Sequence, residues 1–203
     1  MGLNLEPTPE DPVKKKQLAV ALGLGSAAAL IFCMVSRHWL SGGEIDWGLG
    51  PRGWVCGLGE RCPDGLGASA SPGKVVDFMR RLYQDFGQSK DMPSSWFFPF
   101  VAYATLGLCL VSALSLIGAA VTALRGGVPT KPIAPTSVAL LSLFFLLICG
   151  CLFVATNPLR GKGFSAVGVS WPFWLFGVAT VVGIVAAQML AKFKKVDPNE
   201  LTF

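Results

Sequence analysis

Charge is scarce in this sequence and is missing altogether from four long stretches. Only 14% of the 203 residues are Asp, Glu, Lys or Arg, against about a quarter in a typical soluble protein. The charge-free stretches also lack histidine, and they cover residues 17–35, 97–124, 136–156 and 171–191. A soluble helix would show a polar face at helical spacing, and these stretches show none.

Each charge-free stretch is long enough to cross a membrane as a helix. A hydrocarbon core about 30 Å thick needs about 20 apolar residues in a helix that rises about 1.5 Å per residue. The sequence therefore predicts an all-α membrane protein built on a four-helix transmembrane bundle. Proton relays, ion pathways and most coupled transporters use ionisable groups within the membrane, so we expect none of these functions.

Histidine is almost absent from the whole chain. His38 is the only one, which excludes a bis-histidine haem or a histidine-rich metal site within one chain. No nucleophile–base pair, phosphate-binding loop or carboxylate pair has a recognisable spacing. The net charge of +5 is spread over several segments and forms no basic stripe for nucleic acid. We therefore expect no enzyme activity, no cofactor, no metal and no nucleic-acid partner.

The positions of lysine and arginine predict the orientation of the spans. Basic residues lie at the span ends that face the cytoplasm when both termini are inside, as the positive-inside rule requires; Lys14, Lys15 and Lys16 precede the first span. We therefore expect an integral protein of a plasma or inner membrane. Its predicted parts are a disordered cytoplasmic tail at 1–16, a membrane domain at 17–192 with outer loops at 37–96 and 157–170, and a cytoplasmic tail at 193–203.

The first part of the loop at residues 37–96 predicts a small sheet. Gly, Pro and Trp alternate there without a helical period, which is typical of short strands joined by tight turns. We expect two to four strands. Cys56 and Cys62 lie in this part, and an oxidising compartment favours a structural disulfide between them. Its short loop would stabilise the fold by about 2–3 kcal/mol in the chain-entropy estimate; a redox site is the alternative.

A short amphipathic helix is predicted between the sheet and the second span. Asp77 and Arg81 form an i,i+4 pair on one face of this segment. On the other face, five apolar side chains recur at helical spacing: Val75, Phe78, Met79, Leu82 and Phe86. We expect this outer helix to pack as a lid on the sheet or the membrane interface, with partner binding as the alternative. An aromatic belt at the outer interface is predicted from Trp171, Phe173, Trp174 and Phe176.

Together these features resemble the claudin-like tetraspan superfamily, whose members have four spans, a long first outer loop and a short second one. The family signature is a Trp after the first span, then Gly-Leu-Trp and two cysteines. Trp39, Gly53-Trp54, Cys56 and Cys62 correspond to it. Leu is missing before Trp54, and the cysteines are closer together than is usual in the family. The helix that contains Arg80-Arg81 resembles the outer helix that precedes the second span.

The resemblance implies a disulfide-linked outer sheet and a role in assembly, adhesion or partner regulation rather than in chemistry. The expected partners are membrane lipid and other membrane proteins or further copies of the chain, which would bind through the outer loops and the Gly- and Ala-rich helix faces. Three alternatives stay open. One is an accessory subunit of a larger membrane complex, and another is a thiol-redox protein of the DsbB or VKOR kind, although those families use closer CxxC pairs. The third is a small-molecule transporter or channel.

The predicted outer layer concentrates the residue types that most often form binding hot spots. Two interpretations are open for them: they recognise a partner, or the tryptophans form the core of the sheet while the arginines cover a solvated face. The candidate interaction residues are Trp39, Trp47, Trp54, Phe78, Arg80, Arg81, Tyr83 and Phe164.

Overall fold

A computed structural model describes residues 12–42, 47–57, 62–86, 96–125, 134–159 and 167–193. These parts of the chain contain five helices, of which all but the second are long and apolar enough to cross a membrane. The predicted four-helix arrangement is confirmed at this level. The helices are α1 (Pro12–Val35), α2 (Pro72–Asp85), α3 (Phe98–Leu124), α4 (Pro135–Ala155) and α5 (Trp171–Ala191).

The long helices follow the predicted stretches closely, and α5 coincides with its stretch. The first helix differs, because α1 begins at Pro12 and so includes residues 12–16, which the sequence assigned to the tail. The remainder of both predicted tails, 1–11 and 194–203, lies outside the described residues. Each helix from α2 to α5 carries a proline at its first or second position, where the missing N–H costs no helical hydrogen bond.

Small side chains and hydroxyl groups join the four long helices. Both α1 and α4 pack between α3 and α5. Gly150 allows the ring of Phe176 to approach α4, because an added Cβ would overlap that ring. Ser26 Oγ donates to Ala179 O at 2.8 Å between α1 and α5. Small residues and interhelical hydrogen bonds of this kind are the usual means by which membrane helices pack closely.

Five short strands form one antiparallel sheet at the end of the bundle where α1 and α4 end and α3 and α5 begin. Its order is β4-β3-β2-β1-β5. The sequence predicted two to four strands from one loop, whereas the last strand comes from the segment before α5. The strands are β1 (Leu40–Ser41), β2 (Trp47–Gly50), β3 (Gly53–Cys56), β4 (Ser69–Ala70) and β5 (Gly168–Val169).

Glycine at alternate positions of β2 makes room for the chain that leaves α1. Side chains in a strand alternate between faces, so Gly48 and Gly50 share the face opposite the buried Trp47 and Leu49. A Cβ added at Gly48 would lie 2.7 Å from Arg37 O, and one added at Gly50 would lie 2.6 Å from Ser36 O. The connection between α1 and β1 therefore passes over this face of the sheet, with its backbone directly against the backbone of β2.

Gly50→Ala should destabilise the fold by about 1–3 kcal/mol, because the added methyl group would overlap backbone that cannot move without shifting the end of α1. The measurement is the unfolding midpoint of the detergent-solubilised protein, followed by tryptophan fluorescence. Gly168→Ala in β5 is the matched control, since the nearest atom to its added Cβ is 3.8 Å away. An equal fall in the unfolding midpoint of both variants would contradict this close backbone contact at Gly50.

Candidate functional site

The predicted disulfide between Cys56 and Cys62 is present, with 5.9 Å between their Cα atoms. Cys56 ends β3 and lies opposite Trp47 of β2. Its backbone N–H donates to Ala68 O at 3.0 Å. The disulfide thus links the end of β3 to the segment that leads into β4.

Two of the candidate tryptophans form the interior of this end of the molecule. Trp47 and Trp54 stack across β2 and β3, with ring centroids 5.0 Å apart and an angle of 16° between their planes. Their exposed fractions are 7% and 3%. Burial on this scale leaves them no direct contact with a partner, and it matches the interpretation of these residues as the core of the sheet.

Trp39 lies deeper, where the sheet meets the bundle, and is completely buried. Its indole Nε1 donates to Cys33 O in α1 at 2.8 Å. Its ring lies 5.3 Å from the ring of Phe153 and 4.5 Å from that of Phe176, measured between centroids. Trp39 therefore joins α1, α4 and α5 to the start of β1 rather than facing a partner.

The predicted amphipathic helix is present as α2, but its buried face differs from the predicted one. Ser71 caps the helix by accepting from the backbone N–H of Lys74 at 3.4 Å. The buried face includes Val76 and Tyr83, which the predicted apolar face did not contain, whereas Phe86 is 70% exposed. The face is rotated because α2 packs against both the sheet and α3. Tyr83 is thus unavailable as a contact residue.

Three of the candidate interaction residues lie on the parts of α2 that are not fully buried, although Phe78 and Arg80, two positions apart, do not face each other. Arg80 and Arg81 are exposed and Phe78 is half-buried. Arg80 lies 3.6 Å from Asp77, so the observed ion pair has i,i+3 spacing, where the sequence predicted an i,i+4 pair with Arg81. Phe164 lies outside the described residues.

A groove of about 430 Å³ separates this side of α2 from the turn before β4. Asp64 and Gly65 form the wall on the turn side, and a Cβ added at Gly65 would lie 3.5 Å from the ring of Phe78. The α2 wall carries both signs of charge around a small apolar centre. Its residues are Lys74, Asp77, Phe78, Arg81, Leu82 and Asp85.

The predicted aromatic belt is divided between two environments. Trp171 and Trp174 face outwards from α5, and Phe173 and Phe176 turn inwards to pack on Trp39. Trp96, which precedes α3, is also exposed. The bundle therefore carries an exposed aromatic rim at the end that bears the sheet, as is typical of helices that meet a membrane interface.

The other chemically reactive side chains are dispersed. His38 is exposed and lies over Gly48, and Cys33 Sγ donates to Pro172 O at 3.3 Å. Within the described ranges, no group of three or more His, Cys, Asp or Glu side chains could hold a metal ion.

The sequence matches no family model and no curated protein. The function is therefore inferred from the geometry of the structure.

Replacing Cys56 and Cys62 together by serine should lower the free energy of unfolding by about 2 kcal/mol, the chain-entropy value for so short a loop. The denaturant midpoint measures the loss. The matched control is Cys149→Ser with Cys151→Ser, two free cysteines on α4, for which we expect little change. Alkylation of both Cys56 and Cys62 without prior reduction would contradict the disulfide.

Trp39→Phe should destabilise the protein by about 1–3 kcal/mol, because the ring contacts are largely kept while Cys33 O loses its buried donor. The same substitution at Trp174, which is 66% exposed, should have almost no effect. The thermal unfolding midpoints of the two variants give the comparison. Similar midpoints would mean that the indole hydrogen bond contributes nothing.

Proposed function

We propose that this chain is a non-enzymatic integral membrane protein, similar to the claudin-like tetraspans, that assembles with other membrane proteins or with further copies of itself. Assembly would use the sheet layer, by which we mean the five strands together with α2. The observation that carries the proposal is the construction of this layer: a rigid interior beneath an exposed, charged helix face. Adhesion or regulation of a partner would be the result of such assembly.

The outside of the bundle supports its placement in a membrane. Large apolar side chains project from α3, α4 and α5; Leu114, Leu141 and Val178 are among them, and each is about three-fifths exposed. Contiguous apolar surface of this extent is rare on soluble monomers, and lipid would cover it. The basic residues at the start of α1 favour a cytoplasmic N-terminus, which puts the sheet layer on the opposite side of the membrane.

The interior of the bundle supports a structural role. Ser112 Oγ donates to Ser142 Oγ at 2.9 Å between α3 and α4. Thr105 and Thr180 each donate to a carbonyl four residues earlier in their own helix. The serine pair therefore links two helices, and the two threonine hydroxyl groups are satisfied within their own helices.

The position of the cysteine pair also favours structure over redox chemistry. Thiol–disulfide exchange needs an attacking thiolate to reach a sulfur atom. Cys56 is only 6% exposed, and it is held in the ladder between β3 and β2. Access to the Cys56 sulfur is therefore hindered, and an attacking thiolate would have to reach the half-buried Cys62 instead.

The α2 face supplies the features of a recognition surface. Arginine is enriched among hot-spot residues; Arg81 lines the same groove as the half-buried ring of Phe78, and Arg80 is exposed next to Arg81 in the sequence. The opposite side of α2 is anchored by Val75 and Met79, which are almost completely buried. A surface fixed in this way loses little conformational freedom when a partner binds, which favours affinity.

Arg80→Glu with Arg81→Glu should weaken assembly at least about tenfold while the protein still folds. The measurement is the amount of partner, or of differently tagged second chain, that co-purifies with the protein from the membranes of cells expressing it. Arg52→Glu is the control, because it makes the same kind of charge reversal at an exposed turn between β2 and β3.

Unchanged assembly of the double variant would move the interface from α2 to the Gly- and Ala-rich helix faces. A stoichiometric set of other membrane proteins would identify an accessory subunit. A chain that purifies alone and monomeric from gently solubilised membranes would contradict the proposal itself.

A further inference from the structure

The side of α2 that lines the groove alternates in charge along its length, and the exposed Arg80, which lies 3.6 Å from Asp77, is not part of that lining. Four charged side chains follow one another on the wall of the groove in the order positive, negative, positive, negative, and two apolar side chains lie among them. We call this set the α2 stripe. It consists of Lys74, Asp77, Phe78, Arg81, Leu82 and Asp85.

The charges at both ends of the stripe interact unfavourably with the dipole of their own helix. A helix favours negative side chains near its N-terminus and positive ones near its C-terminus. In α2, Lys74 lies in the first turn and Asp85 is the last residue, and neither end carries a compensating charge. Within one chain, each of these two charges therefore destabilises the helix end that carries it.

A second copy of α2 that runs in the opposite direction removes this conflict. When two stripes meet about a two-fold axis, Lys74 of one copy faces Asp85 of the other, and Asp77 faces Arg81. Phe78 then lies against Leu82 at the centre. Every contact occurs twice, as in the isologous interfaces of two-fold dimers. Each end charge also gains an opposite charge and a favourable end of the neighbouring helix dipole.

Other arrangements of a second helix pair fewer of the charges in the stripe. Parallel helices in register put each charged residue opposite its own kind, which is unfavourable. A parallel arrangement staggered by one turn leaves Lys74 of one copy and Asp85 of the other without partners. An unrelated apolar helix could cover Phe78 and Leu82, but it would bury the surrounding charges without pairing them.

We propose that the α2 stripe is a self-recognition surface, on which a second copy of this chain docks with its own α2 antiparallel. The inference rests on the proposed function, because it takes the sheet layer as the site of assembly and adds the identity and direction of the partner. A face of three helical turns is smaller than the roughly 800 Å² per partner of a standard interface. Confinement of both copies to a membrane raises their effective concentration and offsets this small size.

Complementary charge variants test the pairing. D77K makes the centre of the stripe wholly positive, and R81E makes it wholly negative. Each variant alone should lose dimerisation by repulsion, whereas a mixture of the two should form a heterodimer in which both central contacts are restored. The readout is energy transfer between donor- and acceptor-tagged chains in phosphatidylcholine vesicles, recorded within one vesicle population and between two separately labelled populations. The wild-type chain should show transfer in at least one of these settings.

The ends of the stripe test the direction of the helices. Lys74 and Asp85 face each other only in the antiparallel arrangement, so a mixture of K74E and D85K should also regain transfer that each variant lacks alone. R52E mixed with D77K is the control and should show less transfer between the two variants than the complementary mixtures, because one of its two central contacts stays repulsive. Folding of every variant is checked by the unfolding midpoint and by the intact Cys56–Cys62 bond.

Restored transfer in both complementary mixtures supports antiparallel self-recognition. Wild-type transfer that no stripe variant changes overturns the inference while leaving assembly through another surface intact. A wild-type chain without transfer in either vesicle setting overturns it as well, and the function proposed above then depends on the co-purified partners alone.

Discussion

The burial of Trp39 between the sheet and the bundle is the constraint on which the rest of the structure depends. The indole of Trp39 donates a hydrogen bond to Cys33 O. Its backbone carbonyl accepts a second one from Ser170 N at 2.9 Å. Leu40 follows directly and pairs with Leu49 of β2 and Val169 of β5. Because Trp39 is fixed among the helices, the register of β1 is fixed too, and β1 sets the position of the sheet above the bundle.

The sheet layer needs this support because its own hydrogen bonding is limited. Its strands are two or four residues long, and isolated hairpins of that size are marginal in water. Three features compensate: the Trp47–Trp54 stack fills the interior, the disulfide closes the loop after β3, and Gly48 and Gly50 let the end of α1 lie directly on the sheet. Together they stabilise a small layer that has no large core of its own.

The parts of the fold that follow from local patterns could be predicted from the sequence. Charge-free stretches predict the four long helices, and turn-rich sequence around Cys56 and Cys62 predicts both strands and a disulfide. The fifth strand could not be predicted, since Gly168 and Val169 carry no alternating pattern and are ordered by pairing with Leu40 and Ser41 far away in the sequence. The alternation Trp47-Gly48-Leu49-Gly50 was a usable signal for a strand with one face against backbone.

The candidate site was predicted by residue type, and residue type does not report burial. Trp39, Trp47 and Tyr83 have the chemistry of hot spots but lie in the interior, because aromatic rings are also the most effective fillers of a small core. The arginines of α2 remained at the surface, since their exposure depends on which side of the helix meets α3 and the sheet. That choice depends on tertiary packing, so periodicity alone missed the buried Val76 and Tyr83 and wrongly included the exposed Phe86.

The charge order on α2 shows how a small layer can discriminate between partners. Burial of Phe78 and Leu82 would contribute affinity for almost any apolar helix, because apolar contacts have little directional preference. Charges placed at fixed intervals add the discrimination, since a wrong direction or register brings like charges together. In the single chain this arrangement reduces the stability of α2, because Lys74 and Asp85 interact unfavourably with their own helix dipole. A helix anchored by Val75 and Met79 can tolerate that cost, so anchoring and the proposed recognition would use different sides of the same three turns.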